Sequence, residues 1–159
     1  MDVCIRPYRE EDRERLKEIT VAAFTVQASI DRRIEEQFGV LGSVDWAARK
    51  RQAIDADCDA HPDGILVAEA EDGHVIGYIT TRLNAESRLG WIPNLAVDPI
   101  WQGRGLGRQL VLAALDYLRR AGMIHAKIET LTSNERGQAL YPSLGFIEVA
   151  RQIHYVREL

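Results

Sequence analysis

Gly103, Gly105 and Gly107 fall at alternate positions in residues 94–108, NLAVDPIWQGRGLGR, with Arg104 and Arg108 interleaved. Residues 109–121 read as a helix, so the glycines stand where a helix begins. Free N–H groups at a helix start, joined to the positive end of its dipole, form an anion site, and glycines let that backbone approach a ligand with no Cβ between them. The two arginines add local positive charge to a chain of net charge −4. A phosphate or pyrophosphate is the natural partner of such a loop.

Spacing separates the phosphate loops that compete for this reading. A Walker loop ends in Gly-Lys-Ser/Thr, whereas Gly107 is followed by Arg108 and Gln109. A dinucleotide fingerprint needs GxGxxG, and after Gly105 and Gly107 the third glycine position holds Leu110. Glu129 does stand roughly twenty residues further on, as a ribose-binding acid would. A tight turn without a ligand is the remaining reading of the loop alone.

The elements that must position this loop are legible from periodicity and turn signals. Residues 3–7 read as a first strand and 11–24 as a helix carrying Leu16, Ile19 and Ala23. Ile30, Ile34 and Phe38 repeat every fourth residue before Gly39, and Asp45 is placed to cap a helix bearing Trp46, Ala53 and Ile54. Residues 64–70 and 75–83 flank Asp72-Gly73 and predict a hairpin. Residues 91–97 form a fourth strand in which Pro93, unable to donate to a ladder, predicts a bulge or interrupted pairing. The helix after the glycines closes at Gly122, residues 126–131 give a fifth strand, 135–144 a short helix, and 146–156 one or two further strands.

That order describes a mixed α/β protein, and 159 residues with 46% hydrophobic content make one domain spanning residues 1–159. An acidic balance argues against nucleic-acid binding, which needs a clustered basic face. No window approaches a membrane span and no leader precedes the first strand, so a cytoplasmic location is expected. Cys4 and Cys58 lie far apart and His61, His74, His125 and His154 are isolated, so no metal and no disulfide is expected.

Two motifs in order resemble the GCN5-related N-acetyltransferases. Leu95-Ala96-Val97-Asp98-Pro99 followed by Gln102-Gly103-Arg104-Gly105-Leu106-Gly107 is similar to the family's Gln/Arg-x-x-Gly-x-Gly/Ala loop. Asn134, Ala139-Leu140-Tyr141 and Leu144-Gly145-Phe146 are similar to its C-terminal signature. Residues 95–146 look most like the ribosomal-protein alanine N-acetyltransferases, whereas 20–60 carry no such likeness. The resemblance implies a mostly antiparallel sheet flanked by helices, with its fourth and fifth strands splayed. It implies acetyl-CoA as co-substrate, its pantetheine arm along Leu95, Ala96 and Val97 and its pyrophosphate on the amides of Gly103, Arg104, Gly105, Leu106, Gly107 and Arg108, with Gln102 in the same cofactor-binding loop and Asn134 touching the arm.

The same resemblance places Tyr141 as the acid toward the departing thiolate and Glu129 as the base, or as the residue ordering a relay water. Read locally, Glu129 also fits a solvated pair with Lys127 on one strand face, Tyr141 a half-buried aromatic, and Asn134 a helix cap. Pro142 threatens to bias Tyr141 away from helical angles, and Gly137 stands where the family has alanine. Together these lead to an N-acetyltransferase acting on a primary amine by direct attack. The alternatives are a noncatalytic acyl-CoA-binding module and, behind it, a dinucleotide-binding protein. The acceptor, a small molecule or a peptide or protein amine, would be chosen by residues 24–46 and 84–90. Asp31, Glu35, Glu36 and Glu86 there are available to attract a cation or to form a solvated face. The C-terminal strands offer an edge for a homodimer.

Overall fold

The structure is a computed structural model in which residues 2–27 and 29–159 are described. In chain order β1 (Val3–Pro7) leads through a 3-10 turn to α1 (Arg13–Val26), α2 (Ile30–Phe38) and α3 (Trp46–Ala60). Then come β2 (Leu66–Ala70), β3 (Val75–Ile79), β4 (Arg82–Asn84), β5 (Leu89–Ile92) and β6 (Leu95–Val97). The last elements are α4 (Leu106–Arg120), β7 (His125–Ile128) and α5 (Glu135–Ser143). Among the described residues no helix is long and apolar enough to cross a membrane.

The helices begin where side chains can satisfy their first amides. Asp45 accepts from the Ala48 amide at 2.7 Å and Ser29 from Arg32 at 3.2 Å, each capping the helix that follows. The Asp72-Gly73 turn joins β2 and β3 antiparallel, Gly73 taking the left-handed φ of 83° that this turn needs.

The strands form two sheets, β1-β2-β3-β6 and β4-β5-β7. The chain passes from the first to the second at Thr80 and Thr81, and back again at Pro93 and Asn94. The predicted strand 75–83 is therefore two strands. At the junction the Thr80 amide donates to Asn94 O and the Thr81 hydroxyl to Gly64 O, contacts outside a regular ladder. The predicted strand 91–97 breaks at Pro93 for the reason given above.

Apolar residues fill both faces. Leu106, Leu110, Val111, Ala114 and Leu118 on α4 cover one face with Leu66, Ala68 and Ile76, while Leu16 and Ile19 of α1 and Ile54 of α3 cover the other with Val67 and Tyr78. Each fully buried leucine or isoleucine contributes about 2 kcal/mol, so α4 is held firmly at the depth its stripe dictates.

Two further predicted elements differ. The fifth strand stops at Ile128, because Thr130 and the following turn, closed by Asn134 N donating to Leu131 O, redirect the chain into α5. Residues 146–159 form no strand. Their alternating apolar residues suit a ladder, but a strand needs a partner edge, and none among the described residues pairs with them.

Candidate active site

The break in the sheet leaves one edge of β6 open. Asn94 O accepts from Thr80 N and Asp98 N donates to Ile76 O, and Ala96 lies opposite Tyr78, so alternate residues spend their backbone groups on β3. Strand alternation turns the backbone groups of Leu95 and Val97 the other way. The Val97 carbonyl there accepts from Gln102 Nε2 at 3.0 Å. The N–H and C=O of Leu95 and the N–H of Val97 remain for an added strand-like ligand. Ala96 differs from the expectation: its backbone faces β3 and its side chain is buried among α1 and α3 residues.

Asp98 turns the chain toward the glycines. Its carboxylate accepts from Ile100 N at 3.2 Å to cap a 3-10 turn and meets Arg15 Nη2 at 2.6 Å, tying the turn to α1. Gly103 and Gly105 then adopt φ of 78° and 79°, left-handed values that disfavour any side chain. Gly107 lies within α4 with an ordinary φ, and an added Cβ would meet Leu140 Cδ2 at 3.7 Å, so conformation does not require glycine there. Among the described residues no side chain caps α4, so the amides of Leu106, Gly107 and Arg108 are the orphan donors of a helix start. Arg104 stacks over the Trp101 ring, 4.8 Å from its centroid, and the pair lines a cavity of about 270 Å³.

α5 docks on this loop. Leu140 reaches Gly107, Arg108 Nη1 donates to Ser143 Oγ at 3.2 Å, and Arg136 donates to Gln102 Oε1. Arg136, missed by sequence reasoning, thus adds a third cation to the loop. Asn134 caps α5, its Oδ1 accepting from Gly137 N at 3.1 Å while Nδ2 donates to Thr130 Oγ1 at 2.8 Å. A Cβ on Gly137 would lie 2.7 Å from Asn134 Nδ2, so this glycine makes room for the cap.

Tyr141 stays helical despite Pro142, because the proline sits in the final turn, where Leu144 N and Phe146 N both close on Tyr141 O. Its ring meets Phe146 edge-on at 5.9 Å, and burial pushes its hydroxyl up to about 12. Glu129 lies one residue beyond β7 with its side chain 57% exposed. Trp91 Nε1 donates to its Oε2 at 2.7 Å and Lys127 Nζ to its Oε1 at 3.2 Å. The Lys127 pair is therefore present, and Trp91 is a partner the sequence did not suggest.

One further group holds the break itself. Asp57 of α3, 5% exposed, accepts from Thr80 Oγ1 at 2.9 Å, Asn94 Nδ2 at 2.6 Å and Arg82 Nη2 at 2.7 Å. Asn94 N in turn donates to Thr80 Oγ1 at 3.1 Å. These partners come from separate elements, and no local pattern announced them. The resulting arrangement is an open strand edge leading to an uncapped, arginine-flanked helix start, which suits a ligand with an amide-bearing arm and a pyrophosphate.

Comparison with known proteins gives a consistent family. The acetyltransferase (GNAT) family model matches residues 26–146. A mycothiol acetyltransferase from Segniliparus rotundus is 32% identical over 160 residues, covering 98% of this chain and 56% of that protein. The N-alpha-acetyltransferase RimI of Mycobacterium tuberculosis is 35% identical over 105 residues, 62% of this chain and 61% of that one. The paiA N-acetyltransferase of Thermoplasma acidophilum, in complex with coenzyme A, shares the fold with a TM-score of 0.71 at 20% identity, covering 91% and 89% of the two chains. The chain spans from 28% to 56% of the length of the mycothiol acetyltransferases it matches. The likeness thus reaches residues 26–60, where the motifs alone had shown none.

Proposed function

Because the chain belongs to the acetyltransferase (GNAT) family, we propose that it moves the acetyl group of acetyl-CoA to a primary amine by direct attack. The observation that carries this reading is the continuity of the open β6 edge with the uncapped start of α4. Bound acetyl-CoA supplies an activated thioester. Leu95 and Val97 hold the pantetheine arm through their free backbone groups, and the amides from Gly103 to Arg108 receive the pyrophosphate, with Arg136 bonded to Gln102 beside them. Asn134 shapes this end of the site by fixing the start of α5.

Glu129 orders the water, or takes the proton, that frees the acceptor amine. An α-amino group near about 8 is roughly ten percent neutral at pH 7, a lysine-type amine near about 10.4 far less. Glu129 must share its two present donors, Trp91 and Lys127, to do this. Tyr141, with its hydroxyl pushed up to about 12, keeps its proton at neutral pH. A thiolate with a conjugate-acid pKa of about 8.5 is the weaker base, so full transfer from Tyr141 is uphill by about 5 kcal/mol. Its contribution is a hydrogen bond to the departing sulfur, with solvent completing the protonation.

The names of the relatives, a mycothiol and an N-alpha-acetyltransferase, support an amine acceptor of small-molecule or peptide type. A second copy of the chain is the occupant proposed for Ile147 and Val149, which are 84% and 94% exposed. Light scattering tests this, and a monomer at every concentration removes it. The acetyltransferase reading is tested by thiol release from acetyl-CoA against a panel of amines and peptides. Ping-pong kinetics with an acetylated protein would exclude direct attack.

A further inference from the structure

α2 carries an apolar stripe that enters neither hydrophobic core. Ile30, Ile34 and Phe38 recur at helical spacing, no residue of α2 is fully buried, and none of the three joins the two core clusters. They line a cleft of about 590 Å³ whose opposite wall is Leu131 and residues 152–156, including Ile153 and Tyr155. That volume suits a small molecule or the end of a peptide. Leu131 lies two residues beyond Glu129, and Ser133 directly precedes the Asn134 that caps the Tyr141 helix. The cleft therefore borders the turn that links Glu129 to the start of α5.

Its charge runs opposite to what the sequence of α2 suggests. Asp31 and Glu35 do not line it: Asp31 pairs with Arg49 at 3.1 Å and Lys50 at 3.6 Å, and Glu35 accepts from Trp46 N at 2.6 Å, all on α3. Glu36 pairs with Arg32 at 3.6 Å. Among the described residues that line the cleft, none is acidic and Arg33 carries the one permanent charge. Arg33 Nη2 reaches across to Ser133 Oγ at 3.2 Å and, among the described residues, has no carboxylate within ion-pair distance. A guanidinium so placed retains donors for a planar anion.

We propose that the acceptor is a primary amine on an apolar body that carries a carboxylate, with the α2 stripe holding the body and Arg33 the carboxylate. This rests on the acetyltransferase reading and names the substrate class for it. A polycationic amine would lose hydration in an apolar cleft and face Arg33 with no acid to offset it.

Three amines of one chain length provide the test: 8-aminooctanoate, octylamine and 1,8-diaminooctane, compared by kcat/KM and by calorimetric binding to the protein with CoA present. The expected order is aminooctanoate, octylamine, diaminooctane, with about fivefold between the first and last, the discrimination of one exposed charge contact. Arg33→Ala should abolish the preference for the carboxylate, bringing kcat/KM for aminooctanoate down to the level of octylamine. A preference for the diamine, or an order that Arg33→Ala does not alter, overturns the proposal. If no amine is acetylated, the acetyltransferase reading fails by itself, and calorimetry still decides the cleft. Arg33-dependent binding of aminooctanoate supports the assignment, and equal or absent binding of the three overturns it.

Discussion

Asn94 Nδ2 donates to Asp57 Oδ2 at 2.6 Å, joining a buried carboxylate of α3 to the residue at which the central sheet divides. Pro93 begins the break, and the Asp57 contact anchors the residue that follows it. Asp57 also holds Thr80 and Arg82 on the facing segment, so one carboxylate fixes both crossings of the sheet.

Removing that carboxylate should be costly. Asp57→Ala leaves a hydroxyl, an amide and a guanidinium short of an acceptor, and a loss of about 3 kcal/mol is expected in urea unfolding. Asp57→Asn, which keeps the shape and part of the bonding, should lose less and show a raised KM for acetyl-CoA. An unchanged KM in a folded Asp57→Asn protein would separate the network from the open edge of β6.

Gly105 and Gly107 should respond differently to alanine. Gly105→Ala forces a side chain into φ of 79° and is expected to cost about 1–2 kcal/mol and to weaken acetyl-CoA binding. Gly107→Ala meets only an ordinary contact with Leu140 and improves helix propensity, so stability should hold or rise by up to about 1 kcal/mol. Thermal melts with and without acetyl-CoA measure both effects.

Tyr141→Phe should lower turnover by about tenfold, the scale of one hydrogen bond to a developing charge, while acetyl-CoA affinity stays nearly unchanged. Equal and negligible activity of the two proteins across the amine panel would favour a binding module, whereas equal and substantial activity would remove only the role of Tyr141. The pH sign also follows. Burial raises the folded hydroxyl from 10.0 to about 12, so the stabilisation from keeping it neutral is present below pH 10 and is lost as pH rises toward 12. Denaturant titrations across that window should show a steeper alkaline loss for the native protein than for Tyr141→Phe.

Glu129→Gln retains an acceptor for Trp91 and removes the charge that Lys127 meets. If the carboxylate frees the amine, kcat/KM at neutral pH should fall by about 10²-fold, the usual scale of general-base catalysis. A more basic acceptor should suffer more than an α-amine. A loss that is identical for all acceptors, or absent, would return Glu129 to an ordinary surface pair.

Much of this protein follows from neighbours in sequence. Asp45 starts α3 and Asp72-Gly73 turns β2 into β3. Pro93 breaks the fourth strand, and Gly103 and Gly105 take left-handed angles before α4. In each case the deciding interaction lies within a few residues, as an amide needing a cap, a φ that only glycine adopts freely, or a missing N–H. The tertiary structure decided the rest. Asp57 and Asn94 are 37 positions apart, and Trp91 and Glu129 are 38. Helical spacing showed that α2 has an apolar stripe but not that it would face a cleft while its acids turned to α3. The alternation in residues 146–156 indicated a strand, yet a ladder depends on an edge supplied from elsewhere in the fold. Local conformation is set by a residue and its near neighbours, whereas pairing and burial depend on which surfaces the remaining chain leaves open.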